Sequence, residues 1–184
     1  NGKVTVSVSS FVPKAHSAFQ WAPQCSIEEI ERKQQYIKGL IRDKHISYHY
    51  HDARTGRMEA AFARGDRRLG KVLYYAWKKG CKFDGWTEMF DYDKWNESFA
   101  DAGLEVDYFA SRQRGEQEPF PWDHMSAGVA KAYLLNEWKK AHDEELTDDC
   151  RRKRCTGCGV CPNLGVHIID LKACDGNGKT TFSY

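Results

Sequence analysis

The sequence predicts a mixed chain, α/β grading to α+β, in which a strand near the N-terminal end leads into a mainly helical middle and then a small cysteine-rich module. Three observations predict it. Val4-Thr5-Val6-Ser7-Val8 alternates apolar and small polar residues with the period of a half-buried strand. Between residues 26 and 142 apolar residues recur at helical spacing in several separate runs. Four of the seven cysteines then fall within twelve residues, from Cys150 to Cys161. The expected division is therefore residues 1–25, 26–145 and 146–184.

Each element has its own signal. After the strand, Pro13 and Pro23 interrupt any ladder or helix, so the stretch holding Lys14, His16 and Gln20 reads as a loop. Ser26 and Glu29 form a capping-box pattern, and Ile27, Ile30, Ile37 and Ile41 carry a helix to about Lys44. Ile46 to His51 alternates again, setting Tyr48 and Tyr50 opposite His49 and His51 on a second strand. Leu69, Val72, Leu73, Ala76 and Trp77 trace one helical face, with Lys78 and Lys79 in the last turn and Gly80 as the stop. Further helical patterns run from Asp93 to Ala102 and from Ser126 to about His142. Past the cysteines, Val166–Ile169 and Thr180–Phe182 read as strands joined by a turn at 175–178.

Composition excludes some classes of function. The 28 Lys and Arg nearly balance the 26 Asp and Glu, so net charge gives nucleic acid only weak support as a partner. No stretch approaches the roughly 18 apolar residues of a membrane span, and a cytoplasmic protein is expected. The start at Asn1-Gly2-Lys3 suggests a piece of a longer chain. No phosphate loop, nucleophile elbow or dinucleotide fingerprint is present.

Cys150, Cys155, Cys158 and Cys161 have the spacing C-x4-C-x2-C-x2-C, with Gly157 and Gly159 between the last three and Pro162 after them. A glycine-relaxed turn can aim several thiolates at one centre. Close C-x2-C runs followed by proline favour a [4Fe-4S] cluster, while zinc uses the same thiolate ligands and stays open as the alternative. The run Arg151-Arg152-Lys153-Arg154 could offset the negative charge of such a centre, or simply face water. Cys25, Cys81 and Cys174 stand apart and read as structural thiols.

Two other groups carry possible chemistry. His51, Asp52 and Arg54, beside His49, set imidazoles and a charge pair at a strand end, where acid–base work or a structural hydrogen-bond cluster would serve equally. Arg64, Asp66, Arg67 and Arg68 could clamp an anion, or pair internally and face solvent. The six Trp could stack on bases, although most occupy apolar helical positions.

The run Ser9-Ser10-Phe11-Val12-Pro13-Lys14-Ala15-His16-Ser17-Ala18-Phe19-Gln20-Trp21 resembles the S-x-F-V-P-K-x-H-[ST]-x-F-Q-W segment of radical S-adenosylmethionine (SAM) enzymes of the Fe-S oxidoreductase type. The likeness continues through His51-Asp52-Ala53-Arg54-Thr55, Ala63 to Arg68, Gly80 to Trp86, Pro121-Trp122-Asp123-His124 and the cysteine cluster, in the manner of B12-binding-domain-containing radical SAM proteins. It implies that Val4 to Ser9 is the last strand of a partial (β/α)6 barrel and that Lys14, His16 and Gln20 edge the SAM and substrate cavity. It also implies that the partners are the rest of a radical SAM polypeptide and an unidentified substrate. SAM and a second [4Fe-4S] cluster would belong to the full-length protein, with cobalamin an open question. The C-x3-C-x2-C triad of the SAM-binding cluster is absent from these residues, so the segment alone is expected to be inactive. The competing reading is a zinc-stabilised module that docks RNA or a protein partner.

Overall fold

A computed structural model of the chain describes residues 2–167. Of these, residues 2–15 and 21–121 form one compact unit, and residues 16–20 and 122–167 form another.

The first unit begins with two strands, β1 (Val4–Val8) and β2 (Ile46–Tyr50), paired in parallel with Val4 opposite Ile46 and Val8 opposite Tyr50. Parallel pairing requires a crossover, which α1 (Ile27–Leu40) supplies. Its start follows from the Ser26 side chain, whose Oγ accepts from the Glu29 N–H at 3.2 Å, and Glu28 and Glu29 suit the positive end of the helix dipole. The helix stops four residues short of Lys44. Asp43 is the physical reason: its carboxylate accepts from the His45 N–H and its carbonyl from the Ile46 N–H, turning the chain into β2. Buried Gln34 of α1 donates to the His51 carbonyl at 2.8 Å and fixes the helix over the end of the sheet.

Four helices follow: α2 (Ala53–Arg64), α3 (Leu69–Lys78), α4 (Tyr92–Asp101) and α5 (Val106–Ala110). Their shared core gathers Met58, Ala60 and Ala61 of α2, Leu69, Val72 and Ala76 of α3, Trp95 and Phe99 of α4, and Phe109 and Ala110 of α5. The helical face expected of α3 is narrower than its spacing suggests, for Leu73 and Trp77 lie outside the core and are exposed. Gly80, at φ +86°, ends that helix, with Cys81 N–H bonded back to the Ala76 carbonyl as in a Schellman motif. Asp91 caps α4 by accepting from the Lys94 N–H.

In the second unit α6 (Lys131–His142) buries Leu134 and Trp138, and Phe19 meets the Trp138 ring edge-on at 5.5 Å. It begins five residues later than Ser126 because Gly128 stands in the left-handed region at φ +82° and Ala130 is extended, its N–H bonded to the Cys158 carbonyl. A short α7 (Val160–Leu164) carries Cys161. Val166 and His167 have no regular structure. The rest of the expected terminal strands, their turn and Cys174 lie outside the described residues. Among the described residues no helix is long and apolar enough to cross a membrane.

Candidate functional site

The cysteine loop is shaped from both sides. Ahead of it, Asp149 caps a turn by accepting from the Arg151 N–H and grips the Arg151 guanidinium with both carboxylate oxygens. That hydrogen bonding holds the Asp149 carboxyl down to about 2. Lys153 pairs with Asp148 at 2.9 Å. Half of the basic run is therefore neutralised by acids just before it, while Arg152 and Arg154 have no ion pair among the described residues.

Gly157 and Gly159 take left-handed φ angles of +76° and +87°, conformations that cost glycine little and would strain other residues. They reverse the chain between Cys155 and Cys161. The Gly157 N–H points at Cys155 Sγ, 3.4 Å away, the kind of donor that tunes a ligating sulfur. The loop is tied to its surroundings by Ala130 N–H to the Cys158 carbonyl, Asn163 Nδ2 to the Gly128 carbonyl at 2.7 Å, and Tyr133 O–H to Thr156 Oγ1.

The donor chemistry fits a thiolate-ligated centre: four sulfurs, with no carboxylate between Cys150 and Cys161 to compete. Cys155 is exposed and Cys150, Cys158 and Cys161 are half-buried. The sulfurs are not converged, however. Among the described residues no three His, Cys, Asp or Glu side chains are gathered as a group able to hold a metal ion. What the structure provides is a loop with the right donors and the right hinges, not a closed cage.

The remaining sequence candidates fall into separate places. Asp52 is the N-cap of α2, its carboxylate accepting from the Thr55 N–H at 2.9 Å. Arg54 lies over the Tyr92 ring. The His51 backbone continues the strand pairing through its N–H to the Val8 carbonyl. Among the described residues no hydrogen bond joins the side chains of His51, Asp52 and Arg54, although Asp52 and Arg54 both line an open cleft of about 570 Å³ with Thr55 and Asp91. Lys14, in the first unit, pairs with Glu59 at 2.5 Å.

His16 and Gln20 do meet. Both line a cavity of about 330 Å³ in the second unit together with Asp123, Met125 and Lys131. Gln20 is buried, and its Oε1 accepts from Trp122 Nε1 at 2.9 Å and from the His16 N–H at 3.2 Å. This holds His16 at φ +54°, a left-handed conformation uncommon for a residue with a side chain. Lys131 and Asp123 form an ion pair at 2.6 Å on the cavity wall.

Of the suggested anion clamp, Asp66 and Arg68 bond each other in a bidentate pair. Arg64 is buried and donates to the carbonyls of Phe109, Ala110 and Arg112. Sequence reasoning passed over Arg57, which pairs with Asp107, and Arg114, whose guanidinium bonds the Arg64 carbonyl. These arginines tie α2 to the segment around α5. For Arg57 the signal available was its spacing from Arg64 on α2, with Ala53, Gly56, Ala60 and Ala61 on the same buried face. No protein-family model matches the chain, and comparison with curated proteins and with solved structures likewise finds no match.

Proposed function

We propose that this chain is the C-terminal segment of a radical SAM Fe-S oxidoreductase and that Cys150, Cys155, Cys158 and Cys161 ligate a single [4Fe-4S] cluster, with zinc as the competing occupant. The observation that carries the reading is the resemblance of Ser9 to Trp21 to a radical SAM segment, standing directly after β1. Two features support it. β1 and β2 are joined by a helical crossover, the repeating unit from which parallel barrels are built. His16 and Gln20, both from that segment, line one cavity.

A cluster at the four cysteines would serve redox or anchoring chemistry there. Ligation and local folding are coupled at thiolate sites, so the loop from Cys150 to Pro162 closes when the centre is loaded. Gly157 and Gly159 supply the hinges and the Gly157 N–H the hydrogen bond to sulfur. Reductive cleavage of SAM belongs to the longer protein, in which three further cysteines hold the SAM-binding cluster. The substrate is left open.

The test is made on the full-length protein. Reconstituted anaerobically, reduced with dithionite and given SAM, it should release 5′-deoxyadenosine and methionine, and this segment alone should release neither. A full-length protein without a C-x3-C-x2-C triad, or one that never yields 5′-deoxyadenosine, would end the radical SAM reading while leaving the four-cysteine centre to be judged separately.

A further inference from the structure

From Arg67 to Trp86 the chain carries six Lys and Arg and one acid, Asp84, which accepts from Trp95 Nε1, in a protein whose net charge is only +2. The segment comprises α3 and the turn after it. Of this stretch Leu69, Val72 and Ala76 lie in the core, and Cys81 packs against it. The outer side presents Leu73, Tyr74 at 50% exposure and Trp77 at 68%, and the following turn presents Phe83 at 69% and Trp86 at 65%.

Four exposed aromatic side chains within thirteen residues are costly to leave in water, since each ring withholds a large apolar area from burial. Phe83 adds a second oddity. It sits at φ +60°, where a bulky side chain is rare, and it is still turned to solvent. Its carbonyl accepts from the Trp86 N–H at 2.9 Å, closing a turn that leaves both rings outward.

The cations are placed among the rings. Lys78 Nζ lies 4.7 Å from the centre of the Tyr74 ring, and Trp77 is 6.1 Å from Tyr74 at an interplanar angle of 32°. Arg68 is paired with Asp66, and Lys79 with Glu97 and Asp101. Arg67, Lys71, Lys78 and Lys82 have no ion pair among the described residues. A protein-docking centre is depleted in lysine, and a lipid-inserting helix keeps its cations on the face opposite its rings. Here both share one surface. Rings that can stack on bases, alternating with cations that can meet phosphates, fit an unpaired polynucleotide strand.

We infer that α3 and the turn through Trp86 form a binding surface for single-stranded nucleic acid, with Tyr74 and Trp77 as stacking platforms and Arg67, Lys71, Lys78 and Lys82 as phosphate contacts. The surface is independent of the cysteine loop and of the radical SAM reading.

The experiment is fluorescence anisotropy of the whole chain with labelled 20-nucleotide oligouridine RNA, the matching DNA strand and a duplex. With four phosphates neutralised, affinity for the single strands should fall about fifty-fold between 50 and 200 mM salt. Trp77→Ala should weaken binding by about five-fold or more and leave the salt dependence unchanged. The double variant Lys71→Gln, Lys78→Gln should flatten the salt dependence by about 1.4 log units per log unit of salt. Tyr36→Ala, exposed on α1, is the control and should bind like the native chain. RNA and DNA strands binding alike indicates stacking and charge alone, and tighter RNA binding indicates a ribose contact in addition; either supports the surface. No single-strand binding at low salt, equal binding of duplex and strand, unaltered binding by Trp77→Ala, or association with anionic lipid vesicles in place of the oligonucleotides would overturn it.

Discussion

Arg64 shows how far a residue's role can lie from its sequence signature. At 1% exposure, its two terminal nitrogens reach three backbone carbonyls at and just after the end of α5, while Nε is buried with no partner among the described residues. Burial, with Arg114 and Arg112 nearby, pulls its pKa down to about 10, which still leaves it protonated at neutral pH. Glu118 is the countercharge in this region. It accepts from both terminal nitrogens of Arg112 and from the Gly115 N–H, and the Arg112 bonds above all hold its carboxyl down to about 2, against about 4.5 for an ordinary glutamate. A carboxyl whose pKa is lowered on folding stabilises the folded state above its unfolded pKa, and that contribution disappears as pH falls through the folded value. Glu118→Gln should therefore lower the urea midpoint at neutral pH, and its difference from the native chain should narrow from about pH 4.5 downward and vanish near pH 2. A difference that stays constant over that window would mean the Arg112–Glu118 pair contributes nothing through charge.

At the scale of elements, legibility followed the chemistry of the buried face. α1, α3 and α4 announce themselves because each buries at least one large apolar residue, Ile30, Leu69 and Val72, or Trp95 and Phe99, and their ends carry capping residues or glycine. α2 does not. Its buried face is Ala53, Gly56, Arg57, Met58, Ala60, Ala61 and Arg64, with Met58 the one large apolar residue, so apolar periodicity is masked by a polar, glycine-broken segment. The five-residue helices α5 and α7 are too short to show any period. The same mismatch bears on Asp52, which reads as a candidate acid but stands as the cap of α2. Asp52→Ala should cost about 1 kcal/mol of stability, and Asp52→Asn, which keeps a capping oxygen, should recover most of it. Both variants are to be followed by thermal unfolding and, within the radical SAM protein proposed above, by release of 5′-deoxyadenosine. Loss of that release in Asp52→Asn at native stability would restore the catalytic role.

For the molecule as a whole, β1, β2, α1, α3, α4, α6 and the glycines of the cysteine loop were legible in the sequence, because each is encoded within a few neighbouring residues, while the parallel pairing of the two strands was not. How Gln20 is held beside His16 was not legible there, since that needs Trp122 from a hundred residues away. Nor could the sequence separate the outward side chains of α3 from the core, since Leu73 and Trp77 share the helical spacing of Val72 and Ala76. The cysteine loop carries the chemistry that the sequence singles out: the donors and the glycine hinges are present, and among the described residues no three metal-ligating side chains are gathered. The claim that they are ligands of one centre is tested most directly by metal and sulfide analysis of this chain after anaerobic reconstitution, in the native form and with Cys150, Cys155, Cys158 and Cys161 each replaced by Ala. The account predicts about four iron and four sulfide per chain in the native form, marked loss from every one of the four variants, and an unchanged count in Cys25→Ala and Cys81→Ala. About one zinc retained in place of iron would keep the shared ligation and replace the cluster. A native chain that binds neither, or a count indifferent to the four replacements, would contradict it.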